Sequence, residues 1–210
     1  MDDYERTWHK HIRANFSEGL TFIDGLGTFI DKNGRMPTKM RFHYAGEFSE
    51  GLAPVLVSVD ENGSLKNLWG YIDKGGDFVI KPQFLFALEF SEGLAAVEFY
   101  DPDKQETIWG YIDKSGSIKV KVNFISGITS YPGYFSEGLA FVCEDVRRDD
   151  GVIARENECS YINNKGEKIV SLGNVHSGSE FNSGIAFIVT GGAFNAYIDN
   201  IGYIIGKVSN

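Results

Sequence analysis

Short, mainly apolar runs bounded by Gly, Ser, Asp and Asn recur along the whole chain. Two examples are LAPVLVSV at residues 52–59 and LAAVEFY at residues 94–100. Short apolar runs between turn residues are typical of β-strands, and the bounding residues favour tight turns. The best helical candidate is DDYERTWHKHIRA near the N-terminus, where Asp2 or Asp3 could cap a short helix. The pattern predicts an all-β protein with short strands.

Most of these strands follow a nearly identical pentapeptide, Phe-Ser-Glu-Gly-Leu. It begins at Phe16, Phe48, Phe90 and Phe135, and an altered copy, FNSGI, begins at Phe181. A second phrase keeps step with the first: FIDKNG from Phe29, YIDKGG from Tyr71, YIDKSG from Tyr111, YINNKG from Tyr161 and YIDNIG from Tyr197. Self-similarity at periods of 20–50 residues is typical of solenoids, propellers and arrays. The chain therefore carries about five tandem repeats.

Each phrase predicts a local structure. In the pentapeptide, we expect Ser to open a turn through its hydroxyl, Gly to adopt positive φ and Phe to anchor the corner in the core. In the second phrase, Asp suits the start of a type I turn and Gly suits its end. A repeat then holds about three short strands. Between the first two strands lie variable stretches that we expect to form loops on one side of the array: residues 60–68, 101–108 and 144–158.

The phrases FSEGLA, WGYIDK and VIKPQF in tandem resemble the WG repeat of bacterial proteins, which is named for its Trp-Gly pair. The resemblance runs from Phe16 to about Gly206 and is most specific in the copies that contain Trp69-Gly70 and Trp109-Gly110. The other copies have Gly27-Thr28, Cys159-Ser160 and Asn195-Ala196 at this position. The resemblance implies a β-rich repeat, most often with a non-catalytic role. It brings no catalytic, metal-binding or cofactor-binding residues, so we expect no enzyme activity and no cofactor.

Two architectures fit five repeats. One is an open, twisted or solenoid-like array of antiparallel hairpins, and the alternative is a closed five-bladed β-propeller. The short first repeat favours the open array, because a ring needs blades of similar size. We expect an N-terminal cap segment at residues 1–15 and a single repeat domain at residues 16–210. The expected repeats are about 16–47, 48–89, 90–134, 135–180 and 181–210.

The charge balance limits the partners. The net charge is −9 and the only basic doublet, Arg147-Arg148, is followed at once by two aspartates. A nucleic acid would need a local basic patch to overcome this field, so we expect none as a partner. The N-terminus lacks the apolar core of a secretory signal, and no apolar run is long enough for a membrane helix. The sequence thus predicts a cytoplasmic protein without membrane insertion.

The recurring carboxylates are the first candidates for chemistry. Because they repeat in register, we expect them to stabilise turns rather than to form one asymmetric site. An acidic edge that attracts basic partners is the alternative. The residues are Glu18, Glu50, Glu92 and Glu137 in the first phrase and Asp31, Asp73, Asp113 and Asp199 in the second.

The aromatic residues offer a second candidate. A period of two puts Trp69 with Tyr71, and Trp109 with Tyr111, on one face of their strands. Such a ladder could bind carbohydrate, but stacked repeats must bury aromatic faces, so we expect core positions. Better candidates for exposed contacts lie outside the shared phrases: Trp8, Phe86, Phe99 and Tyr100.

The histidines and cysteines point to no catalytic or metal site. His9 and His11 could form a minimal metal pair, but no third ligand is implied, and His43 and His176 stand alone. Cys143 and Cys159 flank a hairpin-like stretch whose tip would be Gly151, which would place them opposite each other. A cytosolic location favours two reduced thiols and leaves a disulfide as the alternative.

These observations predict a non-catalytic repeat scaffold that binds a protein or peptide through its variable stretches. The alternative is a carbohydrate-binding or structural protein of the cell envelope that uses the aromatic ladder. For stability, we expect Gly93→Val and Gly138→Val to cost more than Gly63→Val, because Gly63 belongs to a variable stretch.

Overall fold

A computed structural model of the chain describes residues 16–125, 132–147, 153–173, 175–192 and 194–209. Within these ranges the structure consists of β-strands and turns, with one 3-10 turn at Asp24–Leu26. The predicted all-β tandem repeat is confirmed. The N-terminal cap and its predicted helix, with Trp8, His9 and His11, lie outside the described residues.

The described strands form five antiparallel sheets that follow one another along the chain. In four of them, each strand pairs with its sequence neighbours as a meander. The first sheet contains β1 (Leu20–Ile23) and β2 (Thr28–Asp31). The second contains β3 (Tyr44–Ala45), β4 (Ala53–Glu61), β5 (Ser64–Ile72) and β6 (Phe78–Phe84). The third contains β7 (Phe86–Ala87), β8 (Ala95–Asp101), β9 (Glu106–Ile112) and β10 (Ile118–Ile125). The fourth contains β11 (Leu139–Arg147), β12 (Ile153–Asn163) and β13 (Lys168–Gly173). The fifth contains β14 (Ser177–Gly178), β15 (Ile185–Val189), β16 (Phe194–Asp199) and β17 (Ile204–Ser209).

The pentapeptide forms a two-residue hairpin turn at the start of each repeat. Glu50 and Gly51 have φ values of 53° and 88°, and Ser49 and Leu52 exchange backbone hydrogen bonds of 2.9 and 3.1 Å. Positive φ at both central residues is the type I′ geometry that suits the twist of a β-hairpin. The glutamate therefore shares the left-handed conformation that the sequence predicts for glycine alone.

The second phrase forms the turn predicted from its Asp and Gly. The Asp73 Oδ1 accepts hydrogen bonds from the backbone N–H groups of Gly75 and Asp77, at 2.8 and 3.0 Å. The Gly76 N–H donates to the Asp73 carbonyl, and φ at Gly76 is 89°. The same contacts recur at Asp31, Asp113 and Asp199. The predicted role of these aspartates in turn stabilisation is confirmed.

The core lies between consecutive sheets rather than inside any one of them. Tyr71 and Ile80 of the second sheet pack with Val97 and Ile112 of the third, and equivalent clusters join the other neighbouring pairs. No buried cluster of the described residues joins the fifth sheet to the first. The array is therefore open, as the sequence predicts.

The variable stretches do not form the loops that the sequence predicts. β4 and β5 stay paired from Ala53 and Ile72 out to Glu61 and Ser64, so residues 60–68 are strand except for a turn at Asn62 and Gly63. Residues 101–108 are likewise strand apart from the four residues between β8 and β9. In the stretch 144–158, the ladder of β11 and β12 continues to Arg147 and Ile153, and the tip lies outside the described residues. These stretches lengthen existing hairpins because continued pairing satisfies backbone groups that a loop would leave to solvent.

The glycine of the Trp-Gly pair lies where the backbone of the neighbouring strand, β6 or β10, passes close to it. A Cβ at Gly110 would lie 2.5 Å from the Val120 carbonyl oxygen, and one at Gly70 would lie 2.7 Å from that of Ile80. Both contacts are closer than real Cβ atoms reach, so the backbone of the third strand would have to move. In the first repeat Thr28 occupies this position, and residues 32–42 form no third strand.

The two cysteines lie directly opposite each other on β11 and β12 and form a disulfide. The placement agrees with the predicted hairpin. The sequence favours two reduced thiols, and this prediction differs from the structure, in which the two cysteines are bonded. Both residues are buried in the cluster between the fourth and fifth sheets. The bond therefore ties two strands that the core already holds together.

Candidate functional site

Each sheet docks on the next through a pair of aromatic rings in contact. The phenylalanine of each pentapeptide lies on the aromatic residue that opens the second phrase of the preceding repeat. The ring centroids are 4.8 Å apart for Phe29 and Phe48, 4.9 Å for Tyr71 and Phe90, 4.8 Å for Tyr111 and Phe135, and 4.7 Å for Tyr161 and Phe181. These inclined and edge-on pairs are the geometry that aromatic quadrupoles favour. We call each such contact region a junction.

Hydroxyl groups close each junction, with a tyrosine and a serine hydrogen bond at the three junctions that contain tyrosine and a serine hydrogen bond at the junction of Phe29 and Phe48. The Tyr71 and Tyr111 hydroxyls donate to the carbonyl oxygens of Leu88 and Gly133, both at 2.7 Å. The serine of the pentapeptide donates to the carbonyl of the next repeat's phenylalanine, as Ser49 does to Phe90 at 2.6 Å. The same serine contact occurs from Ser17 to Phe48, from Ser91 to Phe135 and from Ser136 to Phe181. The serine therefore links two repeats, and its predicted role within its own turn is wrong.

The glutamate of the pentapeptide also reaches into the next repeat. The Glu50 carboxylate accepts the N–H of Gly93 at 3.1 Å, and the Glu92 carboxylate accepts that of Gly138 at 2.8 Å. Glu18 and Glu137 make the same contact to Gly51 and Gly184. Lys74 lies 2.9 Å from Glu18, and this contact lowers the pKa of the Glu18 carboxyl, with a further contribution from the Gly51 N–H. These glutamates do stabilise turns, but each acts on the turn of its neighbour.

The junctions bring one corner of every sheet to a common cleft of about 520 Å³. Its walls are Ser17 before β1 of the first sheet, Glu47, Phe48 and Ser49 between β3 and β4 of the second, Glu89, Phe90 and Ser91 between β7 and β8 of the third, Tyr134 before β11 of the fourth, and Glu180 between β14 and β15 of the fifth. A straight array would keep the first and fifth sheets apart. The five sheets are therefore arranged as blades around an axis, although they do not close, and we call this space the axial cleft.

Four residues of the axial cleft directly precede a pentapeptide phenylalanine: Glu47, Glu89, Tyr134 and Glu180. The Tyr134 hydroxyl donates to Glu89 Oε2, and the Glu47 backbone N–H donates to Glu89 Oε1 at 3.0 Å. Burial raises the pKa of Tyr134 well above its ordinary value, and the bond to Glu89 adds to this, so the hydroxyl keeps its proton. Glu89 is thus held in place, while the side chains of Glu47 and Glu180 are exposed.

The chemistry of the cleft is that of a hydrogen-bond acceptor with negative charge. Its described walls contain three carboxylates and no Lys, Arg or His. Carboxylates form their strongest hydrogen bonds with ammonium and guanidinium groups. In the described part of the chain, no three His, Cys, Asp or Glu side chains are grouped so that they could hold a metal ion.

The other candidate residues from the sequence differ in how deeply the structure buries them. Trp69, Trp109, Tyr71 and Tyr111 are buried, which confirms their predicted core position. Tyr100 is exposed as predicted, whereas Phe86 and Phe99 are half-buried against the core. The His43 Nε2 atom lies 2.8 Å from the Ser58 hydroxyl. Neither His43 nor His176 lines the cleft.

The sequence contained a signal for the axial cleft that identical phrases conceal. The position before each phenylalanine reads Asn15, Glu47, Glu89, Tyr134 and Glu180. Glutamate stands at three of these five positions, directly before the pentapeptide. An alignment of the repeats extended by one residue would have shown Glu47, Glu89 and Glu180 in register.

Comparisons with known proteins agree with a repeat fold. The sequence model of the family described as "WG containing repeat" matches residues 28–57 and 69–101. The chain matches no curated protein. Among solved structures, BamB from Moraxella catarrhalis, a β-propeller-like protein, is similar at a TM-score of 0.50 and 10% identity, over 94% of this chain and 63% of that chain. Apo AztD from Citrobacter koseri aligns at a TM-score of 0.43 and 12% identity, over 92% of this chain and 58% of that chain. The chain spans less than two thirds of either protein, and the likeness concerns the fold alone.

Proposed function

Two segments of the chain, residues 28–57 and 69–101, are WG-containing repeats, and we propose that the whole array is a non-catalytic scaffold that binds a protein or peptide in its axial cleft. The observation that carries this proposal is the convergence of Glu47, Glu89 and Glu180 from three separate repeats. Each of these glutamates lies directly before a pentapeptide, outside the two phrases that form the junctions. Side chains that the scaffold contacts do not use are the ones that a recognition site on a rigid scaffold can use.

The ligand chemistry follows from the walls of the cleft. Three carboxylates without a lysine or arginine among them favour a ligand that presents a basic side chain. The volume of about 520 Å³ lies in the usual range of binding clefts and fits one or two side chains rather than a folded domain. The net charge of −9 would speed the approach of such a ligand at low salt.

The hairpin arms offer a wider contact surface around the ligand. The outer halves of β5 and β8 carry Leu65 and Tyr100, which are exposed. These arms differ in length and composition between repeats, as the sequence predicts for variable stretches. In this proposal the cleft binds a basic side chain of the ligand, and the arms contact its flanking residues.

The carbohydrate alternative loses its structural basis. It requires an exposed ladder of Trp69, Tyr71, Trp109 and Tyr111, and all four side chains are buried between sheets. The pentapeptide glutamates are engaged at junctions and are not free to act as acid and base in a glycosidase-like pair. Both points support a protein or peptide ligand and a non-catalytic role.

Binding of a fluorescein-labelled hexa-arginine peptide, followed by anisotropy, tests this proposal. We expect the double variant Glu47→Gln/Glu180→Gln to weaken binding at least tenfold. Both side chains are exposed and lie in the cleft, so their replacement removes two charges without removing a structural contact. The control Glu98→Gln/Asp103→Asn changes the net charge equally but lies outside the cleft.

Equal loss of binding in the two double variants would mean that the peptide responds only to net charge, and the cleft would not be the site. A hexa-glutamate peptide should not bind. Measurement at two salt concentrations separates screened surface attraction from contacts inside the cleft, because the latter are less sensitive to salt.

The compartment bears on the choice of partner. The sequence predicts a cytoplasmic protein, and the part of the chain that the structure describes has no helix of the length and apolarity needed to cross a membrane. The Cys143–Cys159 disulfide weighs against the cytoplasm, because such bonds persist in oxidising compartments. Alkylation of freshly lysed source cells, followed by mass spectrometry of these two cysteines, would decide between the two.

A further inference from the structure

One short stretch of this acidic chain carries positive charge only. There is no Asp or Glu between residues 32 and 46, whereas Lys32, Arg35, Lys39 and Arg41 follow one another closely. The whole chain has 20 Lys and Arg against 29 Asp and Glu, so the charge of this stretch is opposite to that of the molecule. All four side chains are exposed. We call residues 32–41 the basic segment.

The basic segment takes the place of a third strand in the first sheet. Its backbone is held near both ends, because the Asp31 N–H donates to the Arg35 carbonyl at 2.9 Å and the Phe42 N–H donates to the Gly27 carbonyl at 2.8 Å. Thr38 and Phe42 are buried, so the segment is also anchored by its side chains. The four cations are therefore presented on a fixed backbone at the surface of the first sheet.

Cations in the third strands of later sheets are neutralised by carboxylates of their own sheet. The Lys121 Nζ in β10 lies 2.8 Å from the Asp101 carboxylate, and the Lys168 Nζ in β13 lies 2.7 Å from the Glu144 carboxylate. Among the described residues, no cation of the basic segment forms an ion pair of this kind. The positive charge of the basic segment is therefore left for an anion outside the molecule.

Apolar side chains are exposed among these cations. Met36 and Met40 are 52% and 43% exposed, and Pro37 between them is exposed as well. Methionine is flexible and adapts to irregular apolar surroundings. At the surface of a bilayer, apolar side chains enter the boundary between headgroups and acyl chains, while Lys and Arg bind anionic headgroups. The basic segment combines both kinds of side chain.

We propose that the basic segment binds the surface of an anionic lipid bilayer, with its cations on the headgroups and Met36 and Met40 at the edge of the acyl chains. This contact is peripheral and needs no membrane-spanning segment. The acidic remainder of the chain does not prevent it, because charges more than about 8 Å from the bilayer are largely screened at physiological salt. A nucleic acid would use the cations but has no apolar layer beneath its phosphates for the methionines.

Co-sedimentation with vesicles of phosphatidylglycerol and phosphatidylcholine tests the proposal, with pure phosphatidylcholine vesicles as the neutral comparison. We expect binding to the anionic vesicles only. Lys32→Gln/Lys39→Gln should weaken it about tenfold or more, because each Lys near an anionic surface contributes about fivefold. The control Lys81→Gln/Lys165→Gln removes the same charge from exposed positions outside the basic segment, and Lys81 has in β6 the place that Lys39 has in the first repeat. This control should bind within about twofold of the wild type.

The methionine contacts and the choice of a bilayer are tested separately. Met36→Ser/Met40→Ser should weaken vesicle binding about fivefold or more, because two partly exposed apolar side chains no longer enter the bilayer. Leu65→Ser, which removes an exposed leucine from a hairpin arm, should not weaken it. Duplex DNA or poly-glutamate that bound as tightly as the vesicles, at equal negative charge, would show a general anion surface and overturn the proposal. No binding to anionic vesicles, or an equal loss in the Lys81→Gln/Lys165→Gln control, would overturn it as well.

Discussion

The Ser91 hydroxyl donates a hydrogen bond of 2.6 Å to the carbonyl oxygen of Phe135, which lies 44 residues further along the chain. Both residues belong to a pentapeptide, and the bond joins one copy to the next. The same pairing occurs from the first repeat through to the fifth. The pentapeptide is repeated because each copy is both a turn and a docking element for its neighbours.

Replacement of Ser91 by Ala should destabilise the protein by about 1–3 kcal/mol. The change leaves the Phe135 carbonyl without its partner at a half-buried position, and an unmade hydrogen bond of this kind costs about that much. Urea unfolding would measure the loss. Ser183→Ala is the control: Ser183 lies in the fifth pentapeptide, and within the described part of the chain its hydroxyl donates to its neighbour Asn182, so we expect less than about 0.5 kcal/mol. An equal loss in both variants would contradict the role of Ser91 at the junction.

Gly110→Ala should lower stability by about 1–3 kcal/mol, because the added methyl group would lie 2.5 Å from the Val120 carbonyl and force the backbone apart. Gly25→Ala serves as the comparison, since a Cβ there meets nothing within 4 Å. Thermal unfolding of the two variants should differ clearly. If Gly110→Ala melted with the wild type, β10 would not cross Gly110 as closely as the structure indicates.

The glycine series Gly63→Val, Gly93→Val and Gly138→Val should show similar losses. From the sequence alone we expect Gly63 to tolerate the change best, but the structure places all three in two-residue turns with φ of 83°, 80° and 80° and open space around the Cβ. A β-branched residue in this left-handed region costs about 1–2 kcal/mol whichever turn contains it. A clearly milder effect at Gly63, measured by urea unfolding, would restore the original expectation.

The ion pair of Asp101 and Lys121 should make the thermal stability of the protein depend on pH in the acidic range. The Lys121 ammonium lies 2.8 Å from the buried Asp101 carboxylate and, with the Asp103 N–H, lowers the pKa of Asp101 below its usual 3.8. A carboxyl with a lowered pKa adds stability above the pKa of the unfolded chain, and this stability is lost as the pH falls through the folded pKa. Between neutral pH and about pH 3, the wild type should lose more thermal stability than Asp101→Asn. Parallel curves for the two proteins would mean that Asp101 does not contribute.

Reduction of the Cys143–Cys159 disulfide should lower the melting temperature. The bond closes a loop of 16 residues, and loops of this size stabilise by about 3 kcal/mol, or roughly 6–12 °C for a domain of this length. The double variant Cys143→Ala/Cys159→Ala should not respond to reductant, which separates the bond from other effects of the reagent. Reductant that left the wild type unchanged would show that the thiols are not paired.

Local structure could be predicted from the sequence because its causes are local. The positive φ at Gly51 and the aspartate turn at Asp73 depend on residues within four positions, and both agree with the prediction. The tandem array of antiparallel meanders was likewise predictable from the period of the repeats, and the short first repeat favoured an open arrangement.

The junction contacts could not be predicted in the same way. The Ser49 hydroxyl donates to a carbonyl 41 residues away. A serine hydroxyl can also bond within its own turn, and the sequence does not show which of these two bonds it makes. The axial cleft depends on how far the array bends, which the junction geometry sets and the spacing of the repeats does not. The hairpin arms were missed because polar, glycine-containing stretches such as residues 60–68 have loop-like composition, whereas their pairing depends on the strand opposite.

The serine contact from each repeat to the next has a consequence for how such a chain can evolve. The second, third and fourth copies each donate to the following copy and accept from the preceding one. A gene segment duplicated from one pentapeptide to the next therefore inserts a unit whose two ends already match its new neighbours. After deletion of such a segment, the serine of the preceding copy can bond to the phenylalanine carbonyl of the copy that now follows it. Length can then vary by whole units without any compensating mutation, while each unit remains free to change its hairpin arm and its one residue at the axis.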